Sequence, residues 1–295
     1  MRYKTAAAFR QALEERLRQQ SLGNQVALTR LRKMVAFDRF LARLSTRRPD
    51  AWLVKGGLAL QLRLAERART TKDIDLALTK AWAPEQISAR LRQAARLNLH
   101  DAFEFEVSEP RVAATGAPLG GFRFPIRSLL DGRSFEAIHA DVGQGDPVSD
   151  TPEEITLPAM LEFAGIAPAT VLCYPHTMLL AEKLHAYSRR YSGVATSRAR
   201  DLADILLVAS SARLNAKKLA RAILATFRSR STHALPKTMP EPPSSLGPSY
   251  RKLARELALA WRTIEEAGQA ASQFLNPILG GAAVHRWDAS AWRWK

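Results

Sequence analysis

The apolar positions of this chain follow two periods, and the change from one to the other divides it. Ala6 to Leu17 and Val26 to Leu44 are spaced as helices; in the second, Leu31, Met34, Val35, Asp38, Leu41 and Leu44 recur on one, mostly apolar, face. Trp52-Leu53-Val54-Lys55 reads as a short buried strand that ends at Gly56-Gly57, where helix formers take over. Arg69 to Leu78 reads as another strand. Pro84 stands where a helix can begin, and Ile87, Leu91, Ala94, Ala95 and Leu97 carry it to about Leu99. Alternation over Ala102 to Val107 predicts a strand with Phe103, Phe105 and Val107 on one face. After a turn at Gly116 to Gly121, Phe122 to Ile126 resumes extended structure, with Pro125 favouring a sheet edge or a break. Phe135 to Val142 is a further strand, closed by Gly143 and Gly145.

From Thr151 strand patterns disappear and helices dominate, with Pro158 and Pro168 punctuating the transition. Pro175 to Arg190, Ser197 to Ser210, Leu214 to Phe227 and Tyr250 to Phe274 read as helices. Ser229 to Ser249 collects Pro236, Pro240, Pro242, Pro243 and Pro248 and reads as a mobile loop or linker. The expectation is an α+β protein: a sheet domain with N-terminal helices over residues 1–150 and a helical half over residues 151–295.

Composition adds the kind of partner. The chain has 295 residues, 46% of them apolar, enough to fill a core. Its formal charge of +16 exceeds what solubility requires and points to a polyanion, nucleic acid before an anionic membrane face. No uninterrupted apolar run is long enough to span a bilayer, and Met1-Arg2-Tyr3-Lys4 lacks the apolar core of a secretory signal. The single cysteine, Cys173, excludes an internal disulfide framework and fits a reducing cytoplasm. Arg30, Arg32, Lys33 and Arg43 of the second helix either touch RNA phosphates or form a solvated outer face. Near the C-terminus Trp287, Trp292 and Trp294 interleave with Arg286, Arg293 and Lys295. They either stack on bases or, as the favoured reading, pin the C-terminus onto the body.

In an extended chain, side chains two apart share a face, so Asp73 and Asp75 present their carboxylates together while Ile74 points into the core. Such a pair repels unless a cation lies between. Magnesium is the natural candidate, a hard ion that prefers oxygen ligands and shares its shell with substrate phosphates. Asp141, near the end of a later strand, either joins them as a third metal-facing carboxylate, the favoured reading, or caps the following turn. Arg198, Asp201 and Asp204 are spaced to share a helix face as an internal ion-pair ladder. Lys183, beside Leu180 and Leu184 on a largely apolar helix, needs an anion.

Strand, Gly-Gly, helix, a strand with two same-face aspartates and a third aspartate on a later strand: this order resembles the nucleotidyltransferase fold related to DNA polymerase beta. Four segments sharpen the resemblance: Lys55-Gly56-Gly57-Leu58-Ala59-Leu60, Arg69-Thr70-Thr71-Lys72-Asp73-Ile74-Asp75-Leu76, Glu182-Lys183-Leu184-His185-Ala186 and Arg198-Ala199-Arg200-Asp201-Leu202-Ala203-Asp204. Together they look like the AbiEii/AbiGii toxin family, including the MenT-type toxins of mycobacteria. The resemblance implies a metal-dependent nucleotidyltransferase, the toxin of a toxin–antitoxin pair with a cognate antitoxin. MenT-type members add nucleotides from NTP to the 3′ end of tRNA, which blocks aminoacylation and translation.

Carried over residue by residue, the resemblance places Gly57, Asp73 and Asp75 in the nucleotide and catalytic metal site; Asp141, from the strand reading above, is the third ligand expected for two magnesium ions. Lys55, Gly56, Gly57 and Arg198 belong to the nucleotide-binding set. Lys183 binds the triphosphate, and Asp201 orients Lys183 or contacts the nucleotide. The family's last motif usually has lysine where this chain has Arg200, which keeps the charge but offers a planar fork. Family members can be silenced by phosphorylation near the first aspartate, which singles out Thr70 and Thr71 as acceptors. The enzyme reading requires the carboxylates, Lys183 and Asp201 to converge on one cleft. Competing readings are a nucleotidyltransferase that modifies a protein or small molecule, and a non-catalytic nucleic-acid-binding protein.

Overall fold

The computed structural model describes residues 1–24, 27–47, 51–64, 71–112, 117–189 and 197–295. The chain divides into two compact units, one of Met1–Leu62, Thr70–Gly145 and Glu153–Cys173, the other of Arg63–Arg69, Asp146–Pro152 and Tyr174–Lys295.

The first unit is built on one sheet. Its strands are β1 (Trp52–Val54), β2 (Ile74–Leu78), β3 (Phe103–Val107), β4 (Arg111–Val112), β5 (Gly121–Leu130), β6 (Arg133–Gly143), β7 (Glu153–Thr156) and β8 (Thr170–Cys173). They lie in the order β3-β5-β6-β2-β1-β8-β7, with β4 also on β5. β2 runs parallel to β6 and β1 parallel to β8, while β1–β2, β5–β6 and β3–β5 are antiparallel, so the sheet is mixed. The expectation that strands stop at Thr151 is corrected by β7 and β8. Both are only four residues long, and β7 is an edge strand with half-exposed Glu153 and Ile155, so neither carries a strong apolar alternation.

Pro125 lies where the ladder on the β3 side breaks: Val107 pairs with Ile126 and Arg111 of β4 with Arg123, which leaves Phe124 and Pro125 without a strand partner on that side, as expected. β5 runs through it between β3 and β6, and its carbonyl accepts from the Ser108 N–H at 2.9 Å, one residue past the end of β3. The N–H that proline lacks faces the same side, where no strand carbonyl requires it.

Four helices complete this unit among the described residues: α1 (Ala6–Asn24), α2 (Leu28–Arg47), α3 (Gly56–Leu64) and α4 (Pro84–Ala95). α2 packs on β6 and β8 and is itself covered by α1 and α4. Its basic residues are largely structural. Arg43 is fully buried, donating to both Asp101 carboxylate oxygens at 2.9 and 2.8 Å and to the Phe103 carbonyl at 2.6 Å. Arg32 pairs with Glu14 of α1. Arg43 therefore belongs to neither an RNA-facing nor a solvated surface.

The second unit holds α5 (His176–Ser188), α6 (Ser197–Ala209), α7 (Ala216–Arg230), α8 (Gly247–Glu256), α9 (Ile264–Leu279) and a ribbon of β9 (Trp287–Asp288) and β10 (Arg293–Trp294). α6 is its axis, packed against α5, α8 and α9. The run Leu202 to Leu207, all fully buried, explains its all-round apolarity.

The single helix expected over Tyr250 to Phe274 is two. The chain leaves helical geometry at Leu257 and takes φ +49° at Ala258; α9 restarts at Thr263, whose hydroxyl caps the Glu266 N–H while Glu266 accepts from the Thr263 N–H. Leu257 and Leu259 are buried in the break, so the apolar pattern passes through it unmarked.

The proline segment is seated rather than free. Met239 is buried with its N–H on Asn276 Oδ1 at 2.7 Å, and a β-carbon on Gly268 would lie 2.7 Å from Pro242. The C-terminal tryptophans do pin the tail: the indoles of Trp287, Trp292 and Trp294 donate to the carbonyls of Ala209, Ala270 and Phe274. Among the described residues no helix is long and apolar enough to cross a membrane.

Candidate active site

The site in the first unit begins where β1 ends. Val54 lies opposite Leu76, and one step on the Lys55 N–H donates to the Asp75 carbonyl at 2.9 Å. Here the chain must turn into α3 directly beside the Asp75 side chain. Gly56 takes φ +60°, and a β-carbon on it would sit 2.1 Å from Asp75 Oδ2. Only glycine meets both demands. The first turn of α3 therefore abuts a carboxylate, with N–H groups that lack helical partners and the positive end of the helix dipole. Gly57, next in this turn, is buried, as is Lys55.

Register brings in the other acids. β2 and β6 run parallel with Asp75 beside Asp141, so the two side chains leave the same face of the sheet on neighbouring strands about 5 Å apart. Asp73 precedes β2 by one residue rather than lying within it. The structure thus gathers Gly56, Asp73, Asp75 and Asp141 at one end of the sheet.

Two further groups stand among these acids, and sequence reasoning missed both. Arg123 of β5 is the register partner of Asp141 on its other side. Its Nε and Nη2 donate to Asp141 Oδ1 and Oδ2 at 2.7 and 2.6 Å, and Nη2 reaches Asp73 Oδ2 at 3.3 Å. The hydrogen bond to Asp141 is the main reason that Arg123 holds its proton more tightly than an ordinary arginine. His139 lies two residues before Asp141, and its Nδ1 is 3.4 Å from Asp73 Oδ1. The i, i+2 rule that paired Asp73 with Asp75 would have found His139 from Asp141; Arg123 carries no such local signal.

Three carboxylates from a sheet end are the donor chemistry of a hard divalent cation. As they stand, two of them turn onto the Arg123 guanidinium, and among the described residues no group of three His, Cys, Asp or Glu side chains is arranged to hold a metal. To hold a divalent cation, Asp141 and Asp73 would have to exchange the Arg123 guanidinium for it.

Thr71 is buried, its hydroxyl donating to the Asp73 carbonyl at 3.0 Å and its N–H approaching Gln61 Oε1 at 3.4 Å. Thr70 lies outside the described residues.

The second unit gathers the remaining candidates. Lys183 of α5 reaches Asp201 Oδ1 at 3.0 Å and Asp204 Oδ2 at 2.7 Å, both on α6. The anion that Lys183 needs is thus supplied twice from within the unit, and Asp204 is fully buried. The two acids bridge between helices, beyond the ladder expected along α6 itself. Arg198, in the first turn of α6, is buried and donates to the Arg189 carbonyl, while Arg200 is exposed.

The neighbours of Lys183 anchor α5. Glu182 pairs with Arg230, which also holds Asp146. His185 meets the Thr232 hydroxyl at 2.9 Å, and burial, followed by the nearby Arg230, lowers its pKa to about 4.

A mixed sheet that sets a glycine-led helix start and three aspartates at one end is a nucleotidyltransferase architecture. The profile of the AbiEii nucleotidyltransferase toxins of type IV toxin–antitoxin systems matches residues 39–289. The chain belongs to that family, and its cognate partner is accordingly an antitoxin. In structure it is similar to the nucleotidyltransferase toxin MenT4 of Mycobacterium tuberculosis, with a TM-score of 0.54 and 19% identity, covering 95% of this chain and 99% of that one. A nucleotidyltransferase of Helicobacter pylori also aligns, with a TM-score of 0.43 and 13% identity over 84% of this chain and 96% of the other. No curated protein matches significantly by sequence.

Proposed function

We propose that this toxin transfers nucleotides from an NTP to the 3′ end of tRNA in the cytoplasm, so that the tRNA can no longer be aminoacylated and translation stops. The observation that carries the catalytic part is the register of Asp75 with Asp141, with Gly56 moulded to the Asp75 carboxylate. The family supports nucleotidyl transfer, and the charge of +16 supports a nucleic-acid acceptor, since it suits a partner whose phosphates release counterions on binding.

In this reading the tRNA 3′-oxygen forms a bond to the α-phosphorus and the bond to pyrophosphate breaks. Asp73, Asp75 and Asp141 would hold the magnesium ions, two in number. Bound there, magnesium would supply a lower pKa to the attacking hydroxyl and neutralise charge on the leaving oxygens. The first turn of α3, entered through Lys55, Gly56 and Gly57, offers open backbone N–H groups to phosphate oxygens. Lys183, oriented by Asp201 and Asp204, binds the triphosphate, with Arg198 supporting the nucleotide from the same helix as those acids.

Incubation of the protein with each labelled NTP, magnesium and total tRNA tests the proposal. The expected result is label at the tRNA 3′ end, abolished by Asp73→Ala in a variant that melts like the parent. Label on protein or on a small molecule would move the acceptor elsewhere. Nucleotide binding without any transfer would leave a non-catalytic protein.

A further inference from the structure

One surface of the second unit has no part in this chemistry. α7 carries Lys217, Lys218, Arg221, Arg228 and Arg230 and no acidic residue. Arg230 turns inward to Asp146 and Glu182, and Lys218 pairs with Asp150. Lys217, Arg221 and Arg228 are exposed and form no ion pair among the described residues. Together with Leu224, itself 43% exposed, they fall at spacings of four, three and four along one stripe of the helix. At 1.5 Å per residue the stripe is about 16 Å long. The opposite face of α7, with Leu219, Ile223 and Phe227, is buried.

At its C-terminal end the stripe runs into a cleft of about 550 Å³ lined by Leu224, Phe227, Arg228, Thr232 and His233 among others. His233 is held rigid. Its Nε2 meets the Ser188 hydroxyl at 2.8 Å, its Nδ1 meets the Thr232 hydroxyl at 2.9 Å, and its ring packs edge-on against Phe227. A fixed flat ring, an exposed leucine and an arginine at the rim are what an unpaired nucleotide requires: a stacking surface for the base and a cation for its phosphate.

We propose that this face of α7 docks the RNA acceptor, with backbone phosphates along Lys217, Arg221 and Arg228 and one unpaired nucleotide seated against His233. The inference rests on the tRNA reading above. In lacking acidic residues α7 differs from α1, which carries Glu14 and Glu15, and from α8, where Lys252 faces Glu256 at 4.0 Å. An acid among the cations would repel each passing phosphate, and α7 has none.

The test is fluorescence anisotropy of labelled tRNA with the full chain, without NTP, at salt from 50 to 200 mM. Lys217→Glu/Arg221→Glu/Arg228→Glu should weaken binding at least tenfold and flatten the slope of log K against log salt by about 2, as loss of three phosphate contacts requires. The neutral triple Lys217→Gln/Arg221→Gln/Arg228→Gln should fall between this variant and the parent. His233→Ala should weaken binding with little change in slope.

Arg251→Glu/Lys252→Glu/Arg255→Glu on α8 makes the same change of charge elsewhere and should leave affinity within about threefold, since only nonspecific attraction is altered. Affinity unchanged in the α7 triple, or lost equally in the α8 triple, would overturn the proposal. So would an α7 triple that keeps tRNA and releases the antitoxin, because the face would then fit an acidic protein. A parent chain that binds NTP but no tRNA would instead refute the acceptor reading on which the inference rests.

Discussion

Gly56 and Asp75 occupy each other's space: the β-carbon that any other residue would place at position 56 lies 2.1 Å from Asp75 Oδ2. The glycine pair after β1 and the acid pair around β2 are therefore one feature. The backbone has to pass under the carboxylate before α3 can begin, and glycine is the residue that permits it.

Gly56→Ala should consequently do more damage than its size suggests. The left-handed φ of +60° costs about 1–2 kcal/mol for a residue with a β-carbon, and the Asp75 carboxylate must also move. Nucleotide transfer should fall at least 100-fold, about 2.7 kcal/mol of transition-state stabilisation, with a smaller fall in melting temperature. A variant with parental kcat would show that the position of Asp75 is not critical.

Arg123 neutralises the acids before any divalent ion does, so the ion and the guanidinium compete for Asp141 and Asp73. Arg123→Gln should bind manganese more tightly than the parent in a spin-resonance titration, and magnesium should raise its melting temperature by more. Weaker manganese binding in Arg123→Gln would mean that Arg123 assists the ion instead.

Lys183 is structural as well as a candidate for the triphosphate. Lys183→Ala removes the ammonium 2.7 Å from the fully buried Asp204 and should cost about 3 kcal/mol of stability. Loss of activity in that variant alone would be ambiguous. Lys183→Met/Asp201→Asn/Asp204→Leu, which removes all three charges of the cluster, should recover most of the stability in urea unfolding while remaining inactive. Recovery of transfer along with stability would exclude Lys183 from the chemistry.

Acid should loosen the second unit through His185. Its pKa is about 4 when folded against 6.5 ordinarily, so between these values the unfolded chain binds a proton that the folded chain refuses. The full contribution is present above pH 6.5 and declines as pH falls, with about 3 kcal/mol lost by pH 4. Arg230, His233 and Arg189 face the ring and oppose its charging, with Asp146 working the other way. Urea midpoints should drop from pH 7 to pH 5, and His185→Phe should flatten that dependence, although it forfeits the Thr232 hydrogen bond. An unchanged slope would assign the acid lability to other groups.

Much of the helix and strand content was legible because periodicity and capping are properties of neighbouring residues. The pairing of Asp73 with Asp75, the turn at Gly56 and the candidacy of Asp141 all follow from rules that reach no further than one strand. Where local signals were weak the reading failed. β7 and β8 are short and half exposed, and the break between α8 and α9 is buried at Leu257 and Leu259 as a helix would be.

Tertiary structure alone decided which distant residues meet. That Asp141 stands beside Asp75, and Arg123 beside Asp141, is a matter of strand register, and register is set by the packing of whole strands. The same holds for charges. By itself the sequence determined that Lys183 needed an anion, since a lone buried cation is too costly, whereas it set Arg43 on a basic outer face. Only the fold could choose Asp201 and Asp204 for the one and Asp101 for the other, because those acids approach through contacts between separate elements of the chain.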